Sequence, residues 1–319
     1  MLADNVMNKQ PLHITNGNAL TKKLNELGFE GDKLIWQELL CEGPTIEHID
    51  SKDFLDIRKE FFSNFYNIDL DINKIQQEFD KLNHPESYSE IILWFEYDLF
   101  CHINMVAVIS LIMQKKIDLP LYLVCSGRIN NSKNLKGLSE LSFNQLIAHF
   151  DKKTLLKPSD IELATTIWGI YCGIDHNLFK PFIVQSSSFE YLSNCLKAHL
   201  ERFPNSIDGL NNIERNILEI IKNEAITSKH HLLGYALNYQ GYYGYGDLQL
   251  SRIIDQLEVF FTVNDESIVL NRKGHEALIG QHNFALEIDN KIVYGGVNRI
   301  DFQFSKSENK LIKSVLNAN

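Results

Sequence analysis

The sequence contains few cysteines and no closely spaced pair of them. Five cysteines are scattered over 319 residues, none in a C-x-x-C pair, and their number is odd. This pattern is typical of reduced thiols in a cytoplasmic protein and argues against a disulfide framework or a zinc–thiolate site. The N-terminus also lacks a basic segment followed by an apolar run and a small-residue cleavage site, so we expect no secretory signal.

Long apolar runs and an excess of positive charge are missing as well. The longest apolar segments, near residues 103–113 and 119–125, are too short or too interrupted to span a bilayer, so no membrane contact is expected. Lys and Arg number 31 against 41 Asp and Glu, which gives a net charge of −10. A sequence-independent grip on nucleic acid needs a basic face, so nucleic acid is not an expected partner.

The first part of the chain alternates short apolar segments with helical patterns. Four strands are predicted at residues 12–15, 33–36, 91–95 and 119–125. Helices are predicted between them at residues 19–27, within 50–84 and at 99–114. This alternation predicts the α/β class, with a Rossmann-like, mostly parallel sheet of four or five strands in residues 1–128.

The rest of the chain has a different pattern. Residues 129–208 contain three helical segments, at 141–150, 159–172 and 189–203, and no evident strand. From residue 209 to 319 three helices are followed by a β-hairpin and further short strands. This order predicts a helical region and then a winged-helix-like C-terminal domain. The sequence leaves open whether the protein is a homo-oligomer.

Two carboxylates end the most apolar predicted strand. Residues 90–100 read as a buried strand that ends at Glu96 and Asp98 and continues directly into a helix. In open α/β sheets, ligands bind beyond the carboxyl ends of the strands. A close carboxylate pair can share a proton or hold Mg²⁺ or Mn²⁺. Glu96 and Asp98 are therefore the candidate catalytic residues, although Asp98 alone can instead cap the following helix.

Other polar residues follow the first two predicted strands. Asn16, Gly17 and Asn18 form a turn that opens a helix, where backbone N–H groups can bind phosphate. This turn is neither a G-x-G-x-x-G nor a Walker loop, and a plain tight turn is the alternative. The remaining candidate ligand-binding residues are Glu38, Glu42, Gly43, His13 and His102. Either histidine can also be a core residue whose hydrogen bonds are satisfied internally.

The predicted winged helix carries the wrong charge for DNA. Its third helix has Arg252 against three acids, Asp247, Asp255 and Glu258, and the hairpin turn is also acidic. Both surfaces are acidic at the places where DNA phosphates would approach, and like charges repel. A dimerisation or packing role is therefore favoured over DNA binding. The nearby tyrosines, at positions 239, 242, 243 and 245, can stack on a ligand or fill a junction between domains.

Two sets of motifs occur along the chain. The N-terminal motifs are His13-Ile-Thr-Asn-Gly-Asn18, Leu40-Cys-Glu-Gly-Pro44 and Leu93-Trp-Phe-Glu-Tyr-Asp98. The downstream motifs are Leu196-Lys-Ala-His-Leu-Glu-Arg-Phe-Pro204, Gly209-Leu210, Glu214, Gly246-Asp247 and Tyr294-Gly-Gly-Val297. Together they resemble one bacterial family, catalogued as domain of unknown function 1835, and the resemblance covers nearly the whole chain. It implies a site across Asn16, Gly17, Glu38, Glu42, Gly43, Glu96 and Asp98, but no chemistry, because the family has no established activity.

Two positions depart from the pattern of the resembling family. Its members usually have Asp where this chain has Asn18, and often His where it has Tyr97. An amide cannot replace a carboxylate as a base, so Asn18 favours polar ligand binding at this position. The chain is thus expected to bind a small polar or phosphorylated, nucleotide-like molecule, as a divalent-metal hydrolase or transferase or as a binding protein. The alternative is a regulatory or scaffold protein that uses its winged helix for protein or nucleic-acid contacts.

Overall fold

A computed structural model describes residues 9–129 and 135–314, and it confirms the predicted α/β class with a mostly parallel sheet. The sheet contains β1 (Gln10–Asn16), β2 (Asp32–Trp36), β4 (Tyr88–Phe95), β5 (Leu121–Cys125) and β6 (Thr154–Leu155). Their order is β2-β1-β4-β5-β6, and only the β5–β6 pair is antiparallel. The two-residue β6 is not predicted by the sequence pattern, since it is too short to show a period.

The strand order reverses between β1 and β4. From β1 the chain moves outward to β2 and then crosses back to place β4 on the other side of β1. A crevice opens at such a reversal beyond the carboxyl ends of the two strands, and ligands bind there in open α/β sheets. Asn16 ends β1 and Glu96 follows β4, so both lie at this crevice.

Twelve helices are formed by the described residues. In the first half they are α1 (Asn18–Glu26), α2 (Lys52–Tyr66), α3 (Ile72–Asp80), α4 (Leu99–Gln114), α5 (Phe143–Asp151) and α6 (Pro158–Cys172). In the second half they are α7 (Lys180–Ile183), α8 (Leu192–Glu201), α9 (Asn212–Asn223), α10 (Lys229–Tyr239), α11 (Asp247–Gln256) and α12 (Arg272–Leu278). No helix of the described chain has the length and apolar character needed to cross a membrane.

Both faces of the sheet are covered, which explains the continuous apolar run of β4. Ile91, Leu93 and Phe95 belong to the large core cluster that includes α4. Ile92 and Trp94 point to the opposite face and belong to a smaller cluster with residues of α1 and α5. A strand buried on both faces does not alternate apolar with polar residues.

The C-terminal half contains short strands besides its helices. They are β7 (Phe261–Val263), β8 (Ile268–Leu270), β9 (Val293–Gly295), β10 (Val297–Asn298), β11 (Phe302–Ser305) and β12 (Lys310–Lys313). The helices α9, α10 and α11 precede the β7–β8 hairpin in the predicted order. Ile268 of β8 donates its N–H to the carbonyl of Ile226 at 2.8 Å, so the segment between α9 and α10 lies beside the hairpin.

A two-residue strand joins the two halves of the chain. This strand, β3 (Gly43–Pro44), pairs in parallel with β9. Gly43 has a φ of 82°, and a Cβ on it would lie 2.5 Å from the ring of Phe61. Only glycine fits this conformation and this close approach. Gly43 is therefore explained by packing, without a ligand.

Candidate functional site

Glu96, Asp98 and Cys101 lie together at the carboxyl end of β4. One carboxylate oxygen from each acid and the Cys101 Sγ are all within 4.8 Å of one another. The cluster forms because β4 ends at Phe95 and α4 begins at Leu99, so Asp98 is the residue that caps the helix. Its Oδ1 accepts the Cys101 N–H at 2.8 Å, as expected for an N-cap.

The two carboxylates have little compensation for their charge. Burial, together with the charge of Asp98, raises the pKa of Glu96 to about 7. Burial raises the pKa of Asp98 to about 6, although the hydrogen bond from Cys101 acts in the opposite direction. Among the described residues, no Lys or Arg forms an ion pair with either acid. Buried like charges without a counter-ion favour a shared proton or a bound cation.

Backbone segments cover both acids. The N–H of Ser139 lies 3.4 Å from Glu96 Oε1, and a Cβ on Gly137 would lie 2.7 Å from the Glu96 carboxylate oxygens. The segment that follows β5 therefore packs closely on Glu96, and glycine is needed at position 137 to allow it. Burial of Cys101 raises the pKa of its thiol well above the usual range, so this thiol is neutral.

A loop of the C-terminal half covers Asp98 and the first turn of α4. The N–H groups of Leu99 and Phe100 donate to the carbonyls of Tyr242 and Tyr243, at 2.7 and 3.2 Å. Tyr243 is buried, and Tyr242 lies against Tyr97 with 6.2 Å between ring centroids. These contacts of Tyr242 and Tyr243 are of the kind that the second sequence interpretation expects, packing at a junction. Tyr239 is exposed.

Two amide side chains, the half-buried Asn16 and the buried Asn104, connect the end of β1 to α4. Asn16 donates from Nδ2 to Cys101 Sγ at 3.0 Å, and its Oδ1 accepts from Asn104 Nδ2 at 3.0 Å. Asn104 also donates to the carbonyl of Glu38 at 2.8 Å. Cys101 and Asn104 are site residues that the sequence analysis does not identify. The sequence feature that could have identified them is their position in an otherwise apolar helix, three and six residues after Asp98.

Gly17 and Asn18 place the open N-terminus of α1 at the same edge. Gly17 has a φ of 100°, and no atom lies within 4 Å of the position of a Cβ on it. The helix has no side-chain cap and no acid in its first turn. Within the described chain, the N–H groups of Asn18, Ala19 and Leu20 form no hydrogen bond. Free N–H groups at a helix N-terminus favour an anion.

Glu38 is held close to this edge by an internal ion pair. Its Oε2 accepts from Arg58 Nε at 3.2 Å and from the N–H of Leu39 at 3.2 Å. Its Oε1 is buried and has no hydrogen-bond partner in the described structure. A cavity of about 290 Å³ lies beside Asn16 and Gly17, and Glu38 contributes to its wall.

His13 and Glu42 are occupied by internal contacts away from the acid pair. His13 Nε2 lies 3.0 Å from the carbonyl of Glu30, and its Nδ1 accepts from Trp94 Nε1 at 3.0 Å. Burial lowers the pKa of His13 to about 4, so the ring is neutral. Glu42 is fully buried between Arg252 and the Tyr66 hydroxyl. The structure therefore does not bring His13, Glu42 or Gly43 to the Glu96–Asp98 pair.

His102 lies one turn into α4, next to the pair. Its Nδ1 is 2.9 Å from the carbonyl of Asp98. Burial lowers its pKa to about 4, so His102 is neutral and supports the backbone at Asp98. This is the core-histidine interpretation that the sequence analysis left open.

Arg252 of α11 is also engaged inside the protein. Its Nη2 lies 2.7 Å from Glu42 Oε1, and its Nη1 lies 3.3 Å from Asn290 Oδ1. The arginine that a DNA-reading helix would present to phosphates is therefore used for internal packing. This arrangement agrees with the packing role favoured by the acidic charge of α11.

No protein-family model matches the sequence, and the search of curated proteins finds no match. The site must therefore be interpreted from its own geometry.

Proposed function

We propose that the protein binds a small phosphorylated, nucleotide-like molecule at the carboxyl edge of its sheet. In this proposal Glu96 and Asp98 act as an acid–base pair or as ligands of Mg²⁺ or Mn²⁺. The observation that carries it is the pair of the half-buried Glu96 and the buried Asp98, with pKa values raised to about 7 and about 6 and no ion pair within the described chain. Perturbed acids at a strand-order reversal are typical of functional sites.

The chemistry follows from what can relieve the repulsion between the two acids. With a pKa of about 7, Glu96 is partly protonated at neutral pH, so it can donate a proton to a leaving group or, when ionised, take one from a nucleophile. A divalent cation can replace this proton, since hard cations prefer carboxylate oxygens. The neutral Cys101 thiol is then a neighbour of the cation site. A metal-dependent hydrolase or transferase is the concrete form of the proposal.

The phosphate of the ligand belongs at the N-terminus of α1. The free N–H groups of Asn18, Ala19 and Leu20 and the open side of Gly17 support this placement. Asn16 precedes Gly17 in the chain and contacts Cys101, so the anion site and the acid pair are neighbours. A phosphoryl group held at α1 would thus adjoin the carboxylates.

The finer fold and family assignments belong to the same proposal. We propose a Rossmann-like domain, which four parallel strands in the order β2-β1-β4-β5 support. We propose a winged-helix-like C-terminal region, which the order of α9, α10, α11 and the hairpin supports. Membership of the family named above remains a proposal from the motifs. A cytoplasmic location is proposed because all five cysteines are free.

A thermal-shift experiment tests the acid pair. The purified protein is heated with Mg²⁺, Mn²⁺ or Zn²⁺, alone and with nucleotides or sugar phosphates, beside Glu96→Gln. A ligand at about 100 times its Kd adds about 2.7 kcal/mol to stability and raises the Tm. We expect a rise that Glu96→Gln loses and that Glu140→Gln, a matched change of an exposed neighbouring acid, retains. An equal rise in Glu96→Gln would refute the role of the pair.

A pair of variants tests the anion site. Ala19 is exposed in the first turn of α1, so Ala19→Glu leaves the fold intact and places a negative charge where phosphate would bind. We expect Ala19→Glu to weaken binding of pyrophosphate at least about tenfold, and Ala19→Gln to bind as the wild type does. Equal affinities for the two variants would contradict the proposal.

The scaffold alternative makes the opposite prediction. If the C-terminal region contacted nucleic acid, a gel shift at low salt would show binding that weakens steeply with added salt. We expect no such shift, because Arg252 is paired with Glu42. A salt-sensitive shift combined with no response to metals or phosphates would favour the alternative.

A further inference from the structure

A second, larger cavity lies at the carboxyl end of β2. Its volume is about 620 Å³, within the range of cavities that enclose small-molecule ligands. Its walls come from the end of β2, from the first residue of α1 and from α3 with the residues that precede it. It shares Trp36, Gln37 and Glu38 with the 290 Å³ cavity beside Gly17, so the two cavities adjoin.

Two buried polar groups beside these cavities have no partner in the described structure. They are the indole N–H of Trp36, a residue with 1% exposure, and Oε1 of Glu38, a residue with 4% exposure. Leaving a buried donor or acceptor unsatisfied costs about 1–3 kcal/mol. Both residues line the two cavities, so a polar ligand bound there lies next to the residues that carry these unpartnered groups.

The charges of the cavity wall disfavour a second anionic group. Its three acids, Glu38, Asp71 and Glu78, outnumber its one cation, Lys74. Lys74 is paired with Asp71 at 3.2 Å, and Glu78 is paired with Lys81 at 2.7 Å. No free positive charge is thus offered to a phosphate in the described wall. The part of a ligand that enters this cavity is neutral.

The neutral side chains of the wall suit a flat, partly polar group. Apolar atoms come from Ile35, Leu70, Ile75 and the stacked pair Trp36 and Phe79, whose ring centroids are 5.4 Å apart. Amide groups come from Gln37, Gln77 and Asn18. The apolar side chains can pack against the faces of a base, and the amide groups can form hydrogen bonds with its edges.

We propose that this cavity binds the nucleoside part of a nucleoside phosphate whose phosphate lies at the N-terminus of α1. The inference rests on the function proposed above and names its ligand class. Asn18 links the two subsites, since it begins α1 and also lines the larger cavity. A sugar phosphate without a base would leave most of the apolar wall unfilled, so it should bind more weakly.

Two adjacent glutamines provide a matched test. Gln77 lines the cavity, whereas Gln76 does not, and both are exposed on α3. Isothermal titration would compare the wild type, Gln77→Trp and Gln76→Trp, each with AMP, GMP, CMP, UMP, ribose 5-phosphate and pyrophosphate. We expect at least one nucleotide to bind the wild type at least about tenfold more tightly than ribose 5-phosphate. Gln77→Trp should remove this advantage, and Gln76→Trp should keep it.

The outcomes separate this inference from the proposed function. Pyrophosphate should bind all three proteins equally, and only Ala19→Glu should weaken it. If pyrophosphate behaves so but nucleotides bind no better than ribose 5-phosphate, the nucleoside inference is overturned and the anion site stands. Unchanged nucleotide affinity in Gln77→Trp would also overturn it. If no phosphate compound binds the wild type, both the inference and the proposed function fail.

Discussion

The carboxyl group of Asp98 lies directly against the backbone of Gly244. A Cβ on Gly244 would be 2.2 Å from Asp98 Cγ, closer than any side chain can approach. Asp98 belongs to the sheet half of the chain and Gly244 to the loop before α11. The environment that raises the pKa of Asp98 is therefore built by both halves of the chain.

Gly244→Ala should destabilise the protein and disturb Asp98. Gly244 has a φ of 69°, a conformation that costs a residue with a Cβ about 1–2 kcal/mol. The collision with Asp98 adds to this cost. Gly241 is the matched control, since it also has a φ of 69° but no atom lies within 4 Å of its Cβ position. Urea unfolding should show a clearly larger loss for Gly244→Ala, and equal losses would disprove the contact.

Glu96→Gln should change how stability depends on pH. Glu96 has a folded-state pKa of about 7, against an ordinary value of 4.5, so the folded state binds the proton more tightly than the unfolded state. The contribution of Glu96 to the free energy of unfolding is complete below pH 4.5, where the group is protonated in both states. It is lost as the pH rises through 7 and the folded state must give up the proton. Asp98 contributes with the same sign. Glu96→Gln should thus raise the free energy of unfolding by about 1–3 kcal/mol at pH 8 and little at pH 4.

The measurement is urea unfolding at several pH values in the presence of a chelator. Glu140→Gln is the control, because this acid is exposed and its charge is the smallest of the causes that shift the pKa of Glu96, so it should change the pH profile much less than Glu96→Gln. A Glu96→Gln protein that is less stable than the wild type at pH 8 would show that the Glu96 charge stabilises the fold.

The ion pair between Arg252 and Glu42 should be essential for stability. Arg252→Ala leaves the fully buried Glu42 without its cation, and breaking such a pair costs about 3–5 kcal/mol. Adding Glu42→Gln to Arg252→Ala should recover part of the loss, because a neutral amide is less costly to bury. A double variant no more stable than Arg252→Ala would contradict this account. Lys22→Ala, which breaks the exposed pair with Glu26, should show no measurable change.

Gly234→Ala should stabilise the protein. Gly234 lies inside α10, and no atom lies within 4 Å of its Cβ position. Alanine in a helix interior is favoured over glycine by about 0.5–1 kcal/mol. Gly274→Ala in α12 is the contrast, since its Cβ would lie 2.2 Å from the carbonyl of Phe260. Chemical denaturation should give opposite signs for the two changes.

The sequence predicts local features well because they depend on neighbouring residues. The apolar period places β1, β2, β4 and β5, and the Asp98 cap of α4 follows from three consecutive positions. The pattern cannot show which acids acquire cations from distant parts of the chain. Glu42 and Glu96 both follow apolar segments in the sequence, yet Glu42 meets Arg252 and Glu96 meets no cation in the described structure.

Contacts between distant segments are the main features that the sequence does not predict. The two-residue pairing of β3 with β9 has no detectable period, and the Tyr242 and Tyr243 carbonyls at α4 are backbone atoms that any residue supplies. Asn104 is polar in an apolar helix, but its role appears only when Asn16 and Glu38 are placed beside it. These features arise from tertiary packing, which overrides local propensity.

The pairing of β3 with β9 has a consequence for the order of events during protein synthesis. Gly43 is synthesised about 250 residues before its strand partner Tyr294. Until then Glu42 lacks Arg252, and the first turn of α4 lacks the carbonyls of Tyr242 and Tyr243. Contacts this distant in sequence form slowly. The nascent sheet should therefore display an open, acidic edge for most of translation, and chaperones have that interval in which to bind it.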